Sequence, residues 1–416
     1  MKHIQLLTIG LTLTTLTTPA ADWPRWRGSN FDGITTESIR FETWGVDGPK
    51  QLWKAKVGTG WSSLSVADGR AYTMGNTEET DSVYALDATT GAELWKHSYP
   101  CSSKDPNGYP GTRSTPTVDD DRVYSVSRQG HLFCLDAKSG KVIWSKNFVT
   151  DFKSKIPTWG FAGSPLVEKE MLIVEAAAAG AAVVALNKRT GQVLWQNGNE
   201  GAGYGSPVPY TLENERGVVV FNPAGLTARR VSDGKLLWHF PWTTSYDVNA
   251  ATPLVIGDKF FISSGYNTGC ALIQLTKNKP KVLWTNKNMR NQFASCVYLK
   301  DYLYGFDDGE LRCLDFKTGE SKWSSGRYGK GSTILAGQTL LAFSDKGLLA
   351  AVEASPGGFK ELASTQILGG KSTWIVPVLA NGRIYARSLE NLVCLDAGAT
   401  KTAAVAPTLP EVLATK

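Results

Sequence analysis

The stretch VYALDATTGAELW (residues 83–95) decides how this chain folds, because it recurs along the sequence. Close copies are LFCLDAKSGKVIW (132–144), VVALNKRTGQVLW (183–195) and LRCLDFKTGESKW (311–323). The alternating apolar run predicts a half-buried strand, and Asp87 caps the turn that follows it. Gly91 tolerates a left-handed backbone where the turn ends, and the next strand carries Trp95. Each copy is therefore predicted to be a hairpin with a tryptophan on its outer strand.

Weaker copies extend the pattern to eight repeats, the eighth of which begins at Leu395 and has no outer strand after it. The other weak copies run from Arg229 to Trp238, from Leu275 to Trp284, and from Val352 to Glu361, where the tryptophan is lost. Two further strands precede each copy, the first with a small residue and a proline at its start. Four strands in about 45 residues are typical of a propeller blade. The sequence predicts an all-β fold, an eight-bladed β-propeller.

The ends of the chain predict how the ring closes. Trp53, in GPKQLWKAKV (48–57), is an outer-strand tryptophan with no inner strands before it. The N-terminal strand is therefore expected to complete the eighth blade, which removes an open sheet edge. We assign residues 48–396 to the propeller and residues 21–47 to a clasp that packs aromatic side chains against it. Residues 397–416 have no periodicity and are expected to form a disordered tail.

Residues 1–20 have the features of a secretory signal peptide, with Lys2, an apolar run and a small-residue cleavage site that ends at Ala20. The first cysteine is Cys101, so no lipid-modified cysteine is expected after that site. The mature chain is expected to be periplasmic or secreted, monomeric and without a membrane anchor. The formal net charge of +6 is spread over turns and gives no support for a nucleic-acid partner.

The six cysteines and four histidines follow no metal-binding or catalytic pattern. Cys134, Cys313 and Cys394 share one repeat position, where free buried thiols are expected. A bridge between Cys270 and Cys296 stays open, because spacing does not establish it. The histidines are far apart in the repeat map, so neither a zinc site nor a Ser-His-Asp triad is expected.

The loops that lead into the inner strands differ between repeats, and such loops line the mouth of a propeller channel. Aligned on the proline of each inner strand or on the residue in its place, they bring five side chains to one level: Trp61, Arg113, Tyr204, Phe293 and Trp374. Four more candidates lie close by: Phe161, Asp247, Asn249 and Lys330. Aromatic faces with a few cations suit a planar or sugar-like ligand. The alternative is that these residues pack on one another and plug the channel.

The A-x-D-x-x-x-G-x-x-x-W pattern of residues 85–95 resembles the tryptophan-docking motif of the quinoprotein (PQQ-like) propellers. It is similar both to the propeller of quinoprotein alcohol dehydrogenases and to the lipoprotein propeller of the outer-membrane β-barrel assembly machine. The resemblance covers nearly the whole mature chain. It implies that each repeated tryptophan packs against the neighbouring blade. The motif indicates the architecture of the protein and not its activity.

The dehydrogenases of this family bind pyrroloquinoline quinone (PQQ) over the mouth, beside a calcium ion held by Glu, Asn and Asp. The resemblance would make Asp247 and Asn249 metal ligands and Trp61 or Trp374 the stacking residue. No spacing singles out a third ligand, for which Glu175 is a guess. The adjacent cysteine pair and the long mouth insertions of those enzymes are missing.

Three hypotheses about function remain. The first is an exported, non-catalytic propeller that binds a protein or carbohydrate partner at the channel mouth. The second is a PQQ- and calcium-dependent dehydrogenase that oxidises an alcohol or a sugar. The third is a carbohydrate-active enzyme, which would need two carboxylates about 5–10 Å apart, whereas the sequence places Asp247 there. Short mouth loops without an acid–base pair favour the first, and no catalytic residue is assigned.

Overall fold

The computed structural model describes residues 21–105, 107–369 and 374–398. The predicted signal peptide and residues 399–416 of the predicted tail lie outside these ranges. The described strands form eight sheets, seven with four strands and one with a fifth strand added. Each sheet is one blade, so the eight-bladed β-propeller predicted from the repeats is confirmed.

Two strands precede the first blade, namely β1 (Ile34–Thr35) and β2 (Gln51–Lys56). Blades one to four contain β3 (Ser65–Ala67), β4 (Arg70–Thr77), β5 (Thr80–Asp87), β6 (Glu93–Pro100); β7 (Thr117–Asp119), β8 (Arg122–Val126), β9 (His131–Asp136), β10 (Val142–Asn147); β11 (Leu166–Glu168), β12 (Met171–Ala178), β13 (Ala181–Asn187), β14 (Val193–Asn197); β15 (Val208–Leu212), β16 (Glu215–Asn222), β17 (Gly225–Arg230), β18 (Leu236–Pro241).

Blades five to eight contain β19 (Leu254–Ile256), β20 (Lys259–Ser264), β21 (Gly269–Thr276), β22 (Lys279–Asn286); β23 (Val297–Leu299), β24 (Tyr302–Asp307), β25 (Glu310–Asp315), β26 (Ser321–Ser325); β27 (Ser332–Ala336), β28 (Thr339–Phe343), β29 (Leu348–Glu353), β30 (Glu361–Gln366); β31 (Val378–Ala380), β32 (Arg383–Arg387), β33 (Asn391–Asp396). The described helical segments are α1 (Phe148–Asp151) and two 3₁₀ turns, Phe41–Thr43 and Ser245–Asp247.

The first strand of each blade lies nearest the axis and the last strand lies outermost. All three residues of β3 are buried, whereas most residues of β6 are exposed. The first strands of neighbouring blades contact one another, as β3 and β11 do with β7. Apolar side chains between neighbouring blades form the core.

The N-terminal segment completes two blades. Strand β2 pairs antiparallel with β33, with Trp53 opposite Cys394, so the predicted closure of the eighth blade is confirmed. Strand β1 pairs parallel with β27, with Ile34 opposite Leu335, and is the fifth strand of the seventh blade. The two ends of the chain are therefore joined within one sheet.

Six outer-strand tryptophans each donate the indole N–H to a backbone carbonyl of the next blade. The pairs, at 2.7–3.2 Å, are Trp53–Ala88, Trp95–Ala137, Trp144–Lys188, Trp195–Val231, Trp284–Phe316 and Trp323–Ser355. The ring also covers the turn glycine of that blade, because a Cβ on Gly91 would lie 2.6 Å from the Trp53 ring. Gly91 has a φ of 74°, so both the backbone and the ring above it require glycine.

The fifth blade lacks the capped turn, since β21 and β22 meet in a tight hairpin. The prediction that a loop carrying Pro280 connects Leu275 to Trp284 is therefore wrong, because Leu275 pairs with Pro280 inside the hairpin and Leu272 lies opposite Trp284. The tryptophan of the fourth blade consequently finds a different acceptor. Trp238 donates its indole N–H to the hydroxyl of Tyr210 in its own blade, at 2.8 Å.

The seventh blade lacks a docking tryptophan, as predicted, but Glu361 is the wrong residue for that position. Ala363 lies opposite Ala351, which is the place that Trp95 takes opposite Ala85. The turn of the seventh blade is two residues longer than that of the first blade. Counting the same number of residues as in the first blade therefore reaches Glu361, two residues before the position that corresponds to Trp95.

The N-terminal segment makes the contact that the missing tryptophan leaves open. In the eighth blade the equivalent carbonyl belongs to Ala397, and the backbone N–H of Arg40 donates to it at 3.2 Å. A Cβ on Gly398 would lie 2.2 Å from Oγ1 of Thr43, so backbone and a small side chain take the place of an indole ring. The segment thus satisfies the carbonyl that a docking indole would otherwise satisfy.

All six cysteines are buried and free. Cys270 and Cys296, whose pairing the sequence left open, are not bridged. Cys134, Cys313 and Cys394 each lie opposite the tryptophan of their own blade, in the shared position that the repeats predict. A small buried side chain fits beneath the outer strand there.

We expect Trp53→Ala to lower the free energy of unfolding by about 3–5 kcal/mol, because it removes a buried ring and a bond between the first and eighth blades. Leu52→Ala is the matched control, since Leu52 is the next residue in the same strand and is 38% exposed. Its effect should stay within about 0.5 kcal/mol. Urea unfolding followed by circular dichroism measures both variants, and equal losses would contradict a closing role for Trp53.

Candidate functional site

A cavity of about 110 Å³ lies at the mouth of the central channel, and its walls come from the loops that lead into the inner strands. All five residues that the loop alignment places at one level line it: Trp61, Arg113, Tyr204, Phe293 and Trp374. One water molecule needs ~10–15 Å³ of such space, so the cavity accepts a group larger than water. The structure brings the five side chains together, and their role in binding stays a prediction.

Tyr109 lies at the centre of the aromatic rings of the mouth. Its ring centroid lies 5.6–6.3 Å from four others, those of Trp61, Trp159, Phe293 and Trp374. Phe293 and Trp374 stack at 4.9 Å with 30° between their planes. Sequence reasoning missed Tyr109, although the length of the connection between β6 and β7 was a signal that this loop reaches into the mouth.

The N-terminal segment forms part of the cavity wall. Trp26 lines the cavity and donates its indole N–H to Oγ1 of Thr252, at the start of the fifth blade, at 2.8 Å. Trp23 bridges to β3 in the first blade, and Arg27 donates to the carbonyl of Cys296 at the sixth blade. Blades one and five lie opposite each other in an eight-bladed ring, so the segment crosses the channel. Sequence analysis placed Trp26 in the clasp and not in the site.

Among the described residues that line the cavity, Arg113 is the only charged one. Its Nη2 donates to Oδ2 of Asp105 at 2.7 Å, and Arg128 contacts the same oxygen at 2.9 Å. Burial, with a smaller effect from Arg128, lowers the pKa of Arg113 to about 10, so the guanidinium stays charged at neutral pH. Two guanidinium groups thus share the buried carboxylate of Asp105, and Asp81 also acts electrostatically on Arg128, so Arg113 has no carboxylate to itself.

Lys330 lies beside the mouth without lining the cavity. Its ammonium group lies 5.8 Å from the centre of the Trp374 ring, a cation–π distance. The same group donates to Gln292 at 2.7 Å and pairs with Asp308 at 3.1 Å. The positive charge of Lys330 is therefore paired with Asp308, whereas Arg113 shares Asp105 with Arg128.

Three N–H groups at the mouth are buried and have no hydrogen-bond partner among the described residues. They are Nε of Arg113, Nε1 of Trp159 and Nε1 of Trp374, all on side chains that line the cavity. A buried donor without an acceptor costs about 1–3 kcal/mol. The packed rings of the mouth therefore leave a local shortage of acceptors.

Three other predicted residues lie away from the cavity wall. Phe161 packs edge-to-face on Phe148 at 5.0 Å, in the core between the second and third blades. Asp247 is exposed on a 3₁₀ turn. Asn249 is buried; its Oδ1 accepts from Ser264 at 2.8 Å, and its amide nitrogen donates to two backbone carbonyls. Asn249 thus holds the loop in place, whereas Phe161 stabilises the blade core.

Comparison with known proteins identifies the fold family. A family model described as outer membrane protein assembly factor BamB matches residues 79–325. The chain belongs to this family of PQQ-like propellers. The match includes residues 85–95, so the resemblance to PQQ-like propellers that this stretch indicates is confirmed.

The chain is similar to curated proteins that have different names. The chain is 24% identical to the assembly factor BamB of Shewanella oneidensis over 71% of its own length and 77% of that protein. It is 25% identical to the tetrathionate hydrolase of Acidithiobacillus ferrooxidans over 49% of its length and 40% of that enzyme. It is 30% identical to the quinoprotein ethanol dehydrogenase of Pseudomonas aeruginosa over 36% of its length and 26% of that enzyme. The chain thus spans less than half of either enzyme.

Solved structures show the same architecture. BamB from Moraxella catarrhalis superposes with a TM-score of 0.60 at 16% identity, covering 83% of this chain and 96% of that one. The quinohemoprotein alcohol dehydrogenase ADHIIG from Pseudomonas putida HK5 gives 0.63 at 16% identity, covering 94% and 82%. At these identities the likeness shows the fold. In the described part of the chain, no helix is long and apolar enough to cross a membrane.

The mouth of this family member does not fit PQQ and calcium. Trp61 and Trp374 are present, but they pack on each other at 5.6 Å. Calcium takes six to eight oxygen ligands, and no Asp or Glu is among the described residues that line the cavity. The described residues also contain no group of three or more His, Cys, Asp or Glu that could hold a metal ion. The predicted ligand Asn249 already uses its amide oxygen for Ser264.

Glu175, the guessed third ligand, lies in a smaller second cavity between the second and third blades, together with Phe161. Its Oε1 accepts the backbone N–H of Gly203 at 3.0 Å, next to the mouth residue Tyr204. Burial raises the pKa of Glu175 to about 8; the bond from Gly203 opposes this shift, and the charge of Glu200 adds to it. Glu175 therefore holds a loop of the mouth, and its carboxyl is protonated at neutral pH.

We expect Glu175→Gln to stabilise the protein increasingly as the pH rises from 4 to 9. Below pH 4.5 glutamate is neutral in both states, so the variant and the wild type should melt together. Above that pH the unfolded state loses its proton while the folded state keeps it up to about pH 8, which destabilises the wild type. The Tm difference should reach several degrees in favour of glutamine at pH 8–9.

Differential scanning fluorimetry across this pH range measures the trend. Glu213→Gln is the control for the same chemical change at an exposed position on a turn. A Tm difference for Glu175→Gln that stays constant between pH 4 and 9 would contradict the raised pKa.

Proposed function

We propose that this protein is an exported, non-catalytic propeller that binds a protein or carbohydrate partner at the mouth of its channel. The observation that carries the proposal is the composition of the cavity wall, which has eight aromatic and several aliphatic side chains around Arg113 and, among the described residues, no Asp, Glu or His. Acid–base and glycosidase chemistry need such groups. Binding needs apolar area with a few polar groups.

The comparisons support a partner-binding role more than an oxidoreductase role. The relative named as an assembly factor is matched over 77% of its length, whereas the ethanol dehydrogenase is matched over 26%. Proteins present aromatic side chains and carbohydrates present flat sugar faces, and either can lie against indole rings. We propose that the protein acts as a monomer in the periplasm or outside the cell.

The test is a glycan array and a peptide array, each probed with the mature protein and two variants. We expect a restricted set of ligands for the wild type and at least about tenfold weaker binding for Trp374→Ala, because Trp374 contacts three rings of the mouth. Leu236→Ala is the control, since Leu236 is 53% exposed on an outer strand and should leave binding unchanged. Binding that Leu236→Ala weakens as much as Trp374→Ala would locate the partner elsewhere.

The same preparation tests the dehydrogenase alternative. Adding calcium should not change the melting temperature measured with PQQ, because a cofactor site that needs calcium would raise it only when both are present. A saturable, calcium-dependent shift together with dye-linked alcohol oxidation would replace the binding proposal by an enzymatic one.

Export is tested by the mass of the mature chain. We propose that a signal peptidase removes residues 1–20, so the protein recovered from the periplasm or medium should begin at Ala21. Intact-mass spectrometry reads this directly, with a cytoplasmic variant lacking residues 2–20 as the unprocessed control. A full-length mass in the exported fraction, or recovery only from the cytoplasm, would contradict the proposal.

A further inference from the structure

The mouth combines flat apolar surfaces with N–H donors that lack acceptors. Trp159 and Trp374 each present a ring to the mouth and carry a buried indole N–H without a partner among the described residues. In Arg113, Nη2 donates to Asp105 and to the carbonyl of Tyr109, whereas Nε has no partner within the described part of the chain. A ligand that fits this place therefore brings acceptor oxygens as well as a flat apolar body.

The charge of the mouth selects among acceptors. Arg113 and Arg128 share the carboxylate of Asp105, and Asp81 also acts electrostatically on Arg128, so Arg113 has no carboxylate to itself. A carboxylate group of a ligand can pair with Arg113 and is planar, as the guanidinium group is. A phosphate would bring up to two negative charges into a wall that is mostly apolar, where an unbalanced charge is costly.

The remaining lining indicates which carboxylate fits. Val248, Ile375 and Val376 are apolar, and the described lining residues include no Asn, Gln, Asp or Glu to match the hydroxyl groups of a sugar. Trp26 and the N-terminal segment cross the channel behind the cavity, so the cavity accepts an end group better than the middle of a chain. These features favour an aromatic acid over a sugar acid.

We propose that the mouth binds an aromatic carboxylate, with its ring among the indoles and its carboxylate accepting from Arg113 and the indole N–H groups. This inference rests on the proposed function in that the mouth is the binding site, and it adds the chemical class of the ligand. The unpartnered N–H atoms are covered in the present packing. Binding therefore shifts the rings around Tyr109, and the group bound is either a free aromatic acid or the C-terminal aromatic residue of a polypeptide.

Isothermal titration calorimetry with 2-naphthoate and 2-naphthamide tests the charge, because the two probes share one ring system. We expect 2-naphthoate to bind at least about tenfold more tightly, the size of one charge-assisted hydrogen bond. Arg113→Gln should abolish that preference, whereas Arg327→Gln should keep it, because Arg327 is 54% exposed and pairs with Glu361 outside the cavity. A hexapeptide ending in phenylalanine, with a free or an amidated C-terminus, distinguishes a polypeptide end from a free acid.

Trp374→Phe separates ligand recognition from folding, in case Arg113→Gln fails to fold. Phenylalanine keeps a ring but removes an N–H that has no hydrogen-bond partner among the described residues. We expect the melting temperature to be unchanged or higher and the affinity for 2-naphthoate to fall at least about threefold. A purely structural role for Trp374 would lower the melting temperature instead.

The outcomes separate the two proposals. If 2-naphthamide binds as tightly as 2-naphthoate and Trp374→Ala abolishes both, the mouth is a binding site and the carboxylate inference is wrong. If galacturonate oligomers bind while 2-naphthoate does not, the ligand is a sugar and the inference is also wrong. If no probe binds at millimolar concentration, the aromatic carboxylate is excluded, and the glycan and peptide arrays decide separately whether the mouth binds a partner.

Discussion

The bond from an outer-strand indole N–H to a backbone carbonyl of the next blade is the contact on which the ring depends. It satisfies a buried carbonyl at the boundary between two sheets, as Trp95 does for Ala137. The same ring covers a turn glycine, where a Cβ on Gly140 would lie 2.5 Å from Trp95. A glycine in one blade and a tryptophan in the preceding blade therefore form one structural unit. The sequence repeat is strict because each copy must fit both of its neighbours.

The exceptions follow the same rule. Because the fifth blade has no capped turn, the indole of Trp238 donates to the hydroxyl of Tyr210 instead. Because the seventh blade has no docking tryptophan, the backbone N–H of Arg40 donates to the carbonyl of Ala397. The N-terminal segment that supplies Arg40 also extends the seventh blade, completes the eighth and places Trp26 in the cavity. Closure of the ring and the shape of the site thus depend on one stretch of chain.

The sequence predicts the fold well because eight copies of one pattern constrain each other, whereas the site depends on loops that differ. Counting from the proline of each inner strand found Trp61 and Trp374, since that strand has a fixed place near the axis. The same counting misassigned Phe161, because the direction of a side chain two or three residues from a fixed point depends on loop conformation. Tyr109 and Trp26 were missed because a long loop and a segment outside the repeats have no reference position.

The indole group behaves differently at the two places where this chain uses it. In the ring, each docking indole such as Trp53 has an acceptor, because the next blade presents a carbonyl at a fixed position. At the mouth, Trp159 and Trp374 have none among the described residues, because the loops diverge and no carbonyl recurs there. The donor is chemically the same, so the difference comes from the missing acceptor. The regular scaffold therefore supplies its docking indoles with acceptors, whereas these two indoles of the mouth, on the same cavity wall as Arg113, keep a donor that a ligand could use.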